Sequence, residues 1–98
     1  MNKEVAHALI VAELRTLRQL PYSGLIKLVR KPESKHVVGE DGSSYQLEIE
    51  AIWDTARGKD LRVIVAADDG GWRAFKPLTG DFIMRPDGSF VGESLGGH

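Results

Sequence analysis

Tyr45-Gln46-Leu47-Glu48-Ile49-Glu50-Ala51-Ile52-Trp53-Asp54 alternates with a period of two: Tyr45, Leu47, Ile49, Ala51 and Trp53 fall on one side, and Gln46, Glu48, Glu50, Ile52 and Asp54 on the other. Successive side chains of a strand point to opposite faces, so this stretch predicts a β-strand with one buried and one wet face. Leu61 to Asp68 keeps the rhythm, with Leu61, Val63, Val65 and Ala67 inward and Arg62, Ile64 and Ala66 outward. Thr55 to Asp60, which contains Gly58, reads as the hairpin loop between them. Matching the apolar faces suits a register with Trp53 across from Leu61, Ile49 across from Val65, Ile52 across from Arg62 and Glu50 across from Ile64, and a shift of two residues preserves the same faces.

Upstream, the pattern changes to helical spacing. Ala6, Ile10, Leu14, Leu17 and Pro21 line one stripe, widened by Leu9 and Leu20. This predicts a helix that starts at Lys3 behind an Asn2 N-cap and ends by about residue 19 or 20, because Pro21 lacks a backbone donor and restricts Leu20. Leu25 to Lys31 is expected to be a strand ended by Pro32, with Ile26 and Leu28 on one face and Lys27 and Lys31 on the other. Glu33 to Val38 fits a short edge strand, and Glu40-Asp41-Gly42 a turn.

Downstream, Asp68-Asp69-Gly70-Gly71 is a turn, and Trp72 to Phe75 a short return strand broken by Pro77 and Gly80. Asp81 to Arg85 and Ser89 to Val91 flank Pro86-Asp87-Gly88, a type I turn closed by glycine. Glu40-Asp41-Gly42-Ser43 echoes Pro86-Asp87-Gly88-Ser89, which two turns of like chemistry explain without a duplicated unit. These elements give an α+β domain: an N-terminal helix packed on a curved antiparallel sheet of about four to five strands. The topology is similar to cystatin-like or related rolls, a likeness that implies an arrangement and no activity. Residues 1–93 are expected to form one domain and residues 94–98, around Leu95-Gly96-Gly97-His98, a flexible tail.

The 98-residue chain is 42% hydrophobic and 28% charged, values of a globular domain rather than a disordered one. Its small size leaves surface for a partner subunit to cover. There is no cysteine, which removes disulfides, thiol nucleophiles and thiolate zinc sites and suggests a reducing, cytoplasmic setting. The apolar run from Ala8 to Ala12 is interrupted by Glu13, too short for a signal-peptide core or a membrane span, so no membrane attachment is expected. Residues 1–35 carry seven basic and three acidic side chains, and residues 36–98 carry six and eleven.

Chemistry-bearing motifs are sparse. His7, His36 and His98 lack metal-ligand spacing, and Asp68, Asp69, Asp81 and Asp87 sit in turns without the alternating carboxylates of a calcium loop. No cofactor or metal is expected. Glu48 and Glu50 share one strand face at about 6.5–7 Å, a spacing that suits a carboxylate pair, yet Arg62 beside them is a readier ion-pair partner. No serine sits in a nucleophile elbow and no glycines form a phosphate loop, so no catalytic residue is assigned. Lys27, Arg30, Lys31 and Lys35, with Arg15 and Arg18, form a basic patch whose one nearby aromatic is Tyr22, a poor platform for nucleic acid.

The outer sheet face is the most informative surface. Ile52 and Ile64 lie there beside Arg62, and Trp72, Arg73 and Phe75 are expected to extend the patch, an apolar area rimmed by charge. The stretch from Trp72 to Leu78 also suits the wall of a shallow pocket between helix and sheet. The expected function is a non-catalytic interaction or accessory module that engages a protein partner or forms a homodimer through the sheet. The alternatives are a small-ligand-binding protein or enzyme with a carboxylate-containing pocket, and a weak nucleic-acid binder using the patch from Lys27 to Lys35.

Overall fold

The computed structural model of the chain describes residues 1–70 and 77–92. Helix α1 (Lys3–Leu17) is followed by two short helices, α2 (Tyr22–Leu25) and α3 (Lys27–Arg30), and by strands β1 (Glu33–Val38), β2 (Ser44–Trp53), β3 (Leu61–Asp68) and β4 (Leu78–Met84). The strands form an antiparallel meander in the order β1-β2-β3-β4. The fold is therefore α+β, with one long N-terminal helix packed on a four-stranded antiparallel sheet.

The β2–β3 register matches the sequence expectation: Trp53 pairs with Leu61, Ile52 with Arg62, Glu50 with Ile64 and Ile49 with Val65. Tyr45, Leu47, Ile49 and Ala51 of β2 and Leu61, Val63, Val65 and Ala67 of β3 are all buried on the inner face. Val5, Ala6, Ile10, Leu14 and Leu17 of α1 complete this core. Each large aliphatic side chain withdrawn from water here contributes about 1.5–3 kcal/mol, which is why α1 lies flat on the sheet.

Asn2 caps α1, its Oδ1 accepting the Val5 amide at 3.1 Å. The helix ends at Leu17 with Arg18 as C-cap, earlier than residue 19 or 20. The amides of Gln19 and Leu20 instead donate to Thr16 and Leu17, three residues back, tightening the last turn before Pro21. Leu20, at 43% exposure, and Pro21 thus fall outside the apolar stripe.

The strand expected from Leu25 to Lys31 is instead the end of α2 and all of α3, joined at Ile26, with Lys31 as the C-cap. Pro21 accepts from the Gly24 and Leu25 amides, Tyr22 from Ile26, and Lys27 from Lys31. A short apolar run reads either way, and here the period of three wins because it buries Leu25 and Leu28 together. Pro21 both closes α1 and, with its fixed φ, starts the next turn.

Strand β4 runs from Leu78 to Met84 straight through Gly80, where a break is expected. A methyl group built on Gly80 would lie 2.8 Å from Ile10 Cγ2 and 3.0 Å from Leu14 Cδ1. Glycine here marks the place where α1 presses on the strand backbone, not a break. Where the strand from Ser89 to Val91 is expected, the described residues form an isolated bridge between Met84 and Phe90. The expected strand from Trp72 to Phe75 and the tail at 94–98 lie outside the described residues.

The echoed tetrapeptides form the same turn. Asp41 Oδ1 accepts the Ser43 amide at 3.1 Å and Asp87 Oδ1 the Ser89 amide at 2.9 Å. Gly42 and Gly88, with φ of 81° and 91°, donate to Gly39 and Arg85. In the first turn the hydroxyl of buried Tyr45 also donates to Asp41 Oδ2 at 2.8 Å. That hydrogen bond, helped by the Ser43 amide, holds the Asp41 carboxyl below the usual carboxylate range against the opposing effect of desolvation. Burial first, and then the bond to Asp41, pushes the Tyr45 phenol up.

Gly80→Val should drive its side chain into Ile10 and Leu14 and cost about 1–3 kcal/mol in urea unfolding, while Thr79→Val on the opposite face stays near parent stability. A pH series tests the turn. Because Asp41 is depressed in the fold, its stabilisation is present above about pH 4 and lost as pH falls through its native pKa; because Tyr45 is raised, its share is present below about pH 10 and lost above. Tyr45→Phe should flatten both limbs of the stability profile, and Asp41→Asn the acid limb together with the part of the alkaline limb that its bond to Tyr45 contributes, leaving the acid slope contributed by Asp87.

Candidate functional site

The antiparallel register builds the outer face in rows. Ile52, Arg62 and Ile83 form one row, Glu50, Ile64 and Asp81 the next, then Ser34, Glu48, Ala66 and Thr79. No described helix covers this face, because α1 and α3 pack on the side where β2 to β4 bury their apolar residues. Ile52 is 46% exposed, and Ile64 and Ile83 are half-buried. The face thus brings together three of the expected residues, Ile52, Arg62 and Ile64. Trp72, Arg73 and Phe75 lie outside the described residues.

Arg62 is clamped. Its Nε and Nη2 donate to Asp54 Oδ1 at 3.1 and 2.9 Å, and its Nη1 donates to Asp81 Oδ2 across the strand pair. The bonds to Asp81 and then Asp54 hold the guanidinium firmly protonated. The expected glutamate partners are therefore displaced by two aspartates. Glu48 accepts from Gln46 Nε2 at 2.7 Å, and Glu50 is exposed. With Arg62 neutralised, Glu48 and Glu50 leave the open face acidic around its isoleucines. Asp81 and Ile83 fall in the expected strand from Asp81 to Arg85 but not in the expected patch; the alternation from Leu78 to Met84 is the signal that sets them on the outer face.

The other candidates do not converge. Asp68 accepts the Gly70 amide at 2.7 Å as a turn cap, and among the described residues no cluster of three histidine, aspartate or glutamate side chains is placed to hold a metal. His7 and His36 are exposed. Within the basic patch, Lys35 pairs with Glu13 at 2.6 Å. Arg18 lies over the rings of Phe82 and Phe90, 5.1 and 5.7 Å from their centroids, on the inner side. Among the described residues, no helix is long and apolar enough to cross a membrane.

A second surface follows from the helical turn that replaced the expected strand. Ile26 and Val29 face Trp53, and between them lies a groove of about 680 Å³ that Lys27, Arg30 and Arg57 also line. Tyr22 Oη donates to the Lys59 carbonyl at 2.6 Å and ties the β2–β3 loop to α2, which fixes the far wall. Trp53 is half-buried, so its indole is part wall and part core. No known protein family, curated protein or solved structure matches this chain.

The two faces differ in tolerance. Ile64→Lys places an ammonium between Glu50 and Asp81 and should keep the circular dichroism spectrum and unfold within about 1 kcal/mol of the parent. Val65→Lys, at a position with 0% exposure, should abolish cooperative unfolding because it buries an unpaired charge.

Proposed function

We propose that the protein is a non-catalytic interaction module that works through the open face of its sheet and binds a protein partner bearing basic and apolar side chains. The observation that carries this reading is the set Ile52, Ile64 and Ile83 on a face where, among the described residues, Glu48 and Glu50 are carboxylates without an ion pair. Isoleucines supply contact area, and the acids select a cationic rim on the partner. A symmetric homodimer through this face would oppose the acids of both copies, while Arg62 is already committed to Asp54 and Asp81. Like-charge repulsion therefore favours a different chain over a second copy.

Other parts of the reading follow the sequence. The long helix over a sequential meander suits a cystatin-like roll, an arrangement that assigns no partner. A cytoplasmic setting agrees with the absence of cysteine.

The test uses two synthetic probes, a peptide of alternating lysine and leucine and its counterpart of alternating glutamate and leucine. With isotope-labelled protein, the basic probe should shift amide resonances of Glu48, Glu50, Ile52, Ile64 and Ile83, and Ile64→Lys should weaken it about tenfold. Light scattering should give a monomer mass. Equal binding of the acidic probe to this face overturns the proposal, as does a dimer that Ile64→Lys dissociates, which would give the face to a second copy.

A further inference from the structure

The groove between α3 and the end of β2 lies on the opposite side of the domain from the open face, and its chemistry is the reverse. Its floor is apolar, made by Ile26, Val29 and Trp53, and its polar groups are Lys27, Arg30 and Arg57. Among the described residues, none of these three cations forms an ion pair and no carboxylate lines the groove. Cations on a folded surface commonly find acidic neighbours, as Lys35 finds Glu13 and Arg62 finds two aspartates. Here three remain uncompensated around one tryptophan.

We propose that this groove is a binding site for a small amphipathic anion, a carboxylate or phosphate monoester carried on an apolar tail or ring. The volume, about 680 Å³, lies within the roughly 300–1,000 Å³ of small-molecule pockets. The apolar body displaces water from Ile26, Val29 and the Trp53 ring. The head group sits at the mouth among Lys27, Arg30 and Arg57, where charge-assisted hydrogen bonds fix its orientation. The two arginines suit a planar carboxylate or a phosphate through paired donors, and lysine adds a mobile point charge.

Shape separates this occupant from the other anionic surfaces that cations attract. A lipid bilayer is engaged by apolar side chains that protrude, whereas Ile26, Val29 and Trp53 are half-buried and line a concavity. A nucleic-acid strand needs cations spaced along its backbone and exposed rings for successive bases; Lys35 is held by Glu13, and the groove offers one half-buried indole. The site is independent of the sheet face, so either proposal stands or falls alone.

The experiment follows Trp53 fluorescence in a Trp72→Phe protein, where it is the sole indole, during titration with dodecanoate, dodecyl phosphate and dodecyltrimethylammonium below their micelle concentrations. Calorimetry on the unsubstituted chain reads the same affinities without the tryptophan substitution. Both anions should bind saturably with one site, and the cation should bind at least about tenfold more weakly. Arg30→Glu combined with Arg57→Glu should weaken the anions about tenfold or more while leaving the urea midpoint unchanged, since both side chains are exposed. Arg30→Lys with Arg57→Lys should retain most of the affinity. Equal binding of the cationic amphiphile, or indifference to the charge reversals, overturns the proposal. So does displacement of dodecanoate by a single-stranded oligonucleotide, which would give the groove to nucleic acid.

Discussion

Helix α1 can approach β4 because Gly80 has no side chain where Ile10 and Leu14 press down. A similar contact recurs near the other end of the helix: a methyl group on Gly39 would lie 2.6 Å from Val5 Cγ1 and 2.9 Å from Tyr45 Cε1. Between these two points the helix covers the inner residues of β3 and β4, and α3 covers those of β2. Close approach converts the apolar stripe of α1 and the inner alternation of the strands into one continuous core. The same placement leaves the reverse of the sheet without a helical layer.

How much of this was legible depended on whether a local pattern was long enough to have one meaning. Between Tyr45 and Ala67 the strict alternation of two strands fixes which face of each is buried, and of the registers two residues apart that keep those faces the fold takes the one that sets Trp53 against Leu61. The run from Leu25 to Lys31 has apolar residues at both periods: Ile26 and Leu28 suit a strand, Leu25 and Leu28 a helical turn. Tertiary burial of the latter pair decides, and nothing local does. Gly80 failed for a different reason. A glycine inside a strand signals either a break or a close backbone approach, and the second requires knowing what lies above it.

Those two misreadings also determined what could be seen of the candidate sites. Ile52, Arg62 and Ile64 were identified because they belong to the long alternation. Asp81 and Ile83 belong to the expected strand from Asp81 to Arg85, but without its start at Leu78 that strand is not aligned beside β3, and the groove is hidden because a strand from Leu25 to Lys31 would separate Ile26 from Val29 across its two faces. The Arg62 partners illustrate a further limit. Glu50 on β2 and Asp81 on β4 both sit diagonally beside Arg62, and Asp54 lies just beyond the end of β2. A short aspartate on each flank holds the guanidinium fork in place, and this geometry emerges only when three strands are assembled.

Charge is sorted between the two sides by the same architecture. Trp53 turns inward to the cationic groove while its neighbours Ile52 and Asp54 turn outward to the acidic face, so adjacent residues of one strand serve surfaces of opposite sign. The end of β2 is held by the Trp53 to Leu61 pairing, by the hydrogen bond from the Asp54 amide to the Asp60 carbonyl, and by Tyr22 on Lys59. Transmission of binding from one side to the other needs an element with two discrete arrangements. A hairpin end pinned from three directions supplies a single one among the described residues. The two surfaces proposed for recognition therefore share one pinned strand end, the charge of each acts locally, and the near-zero formal charge of the whole chain, -1, conceals two opposed faces.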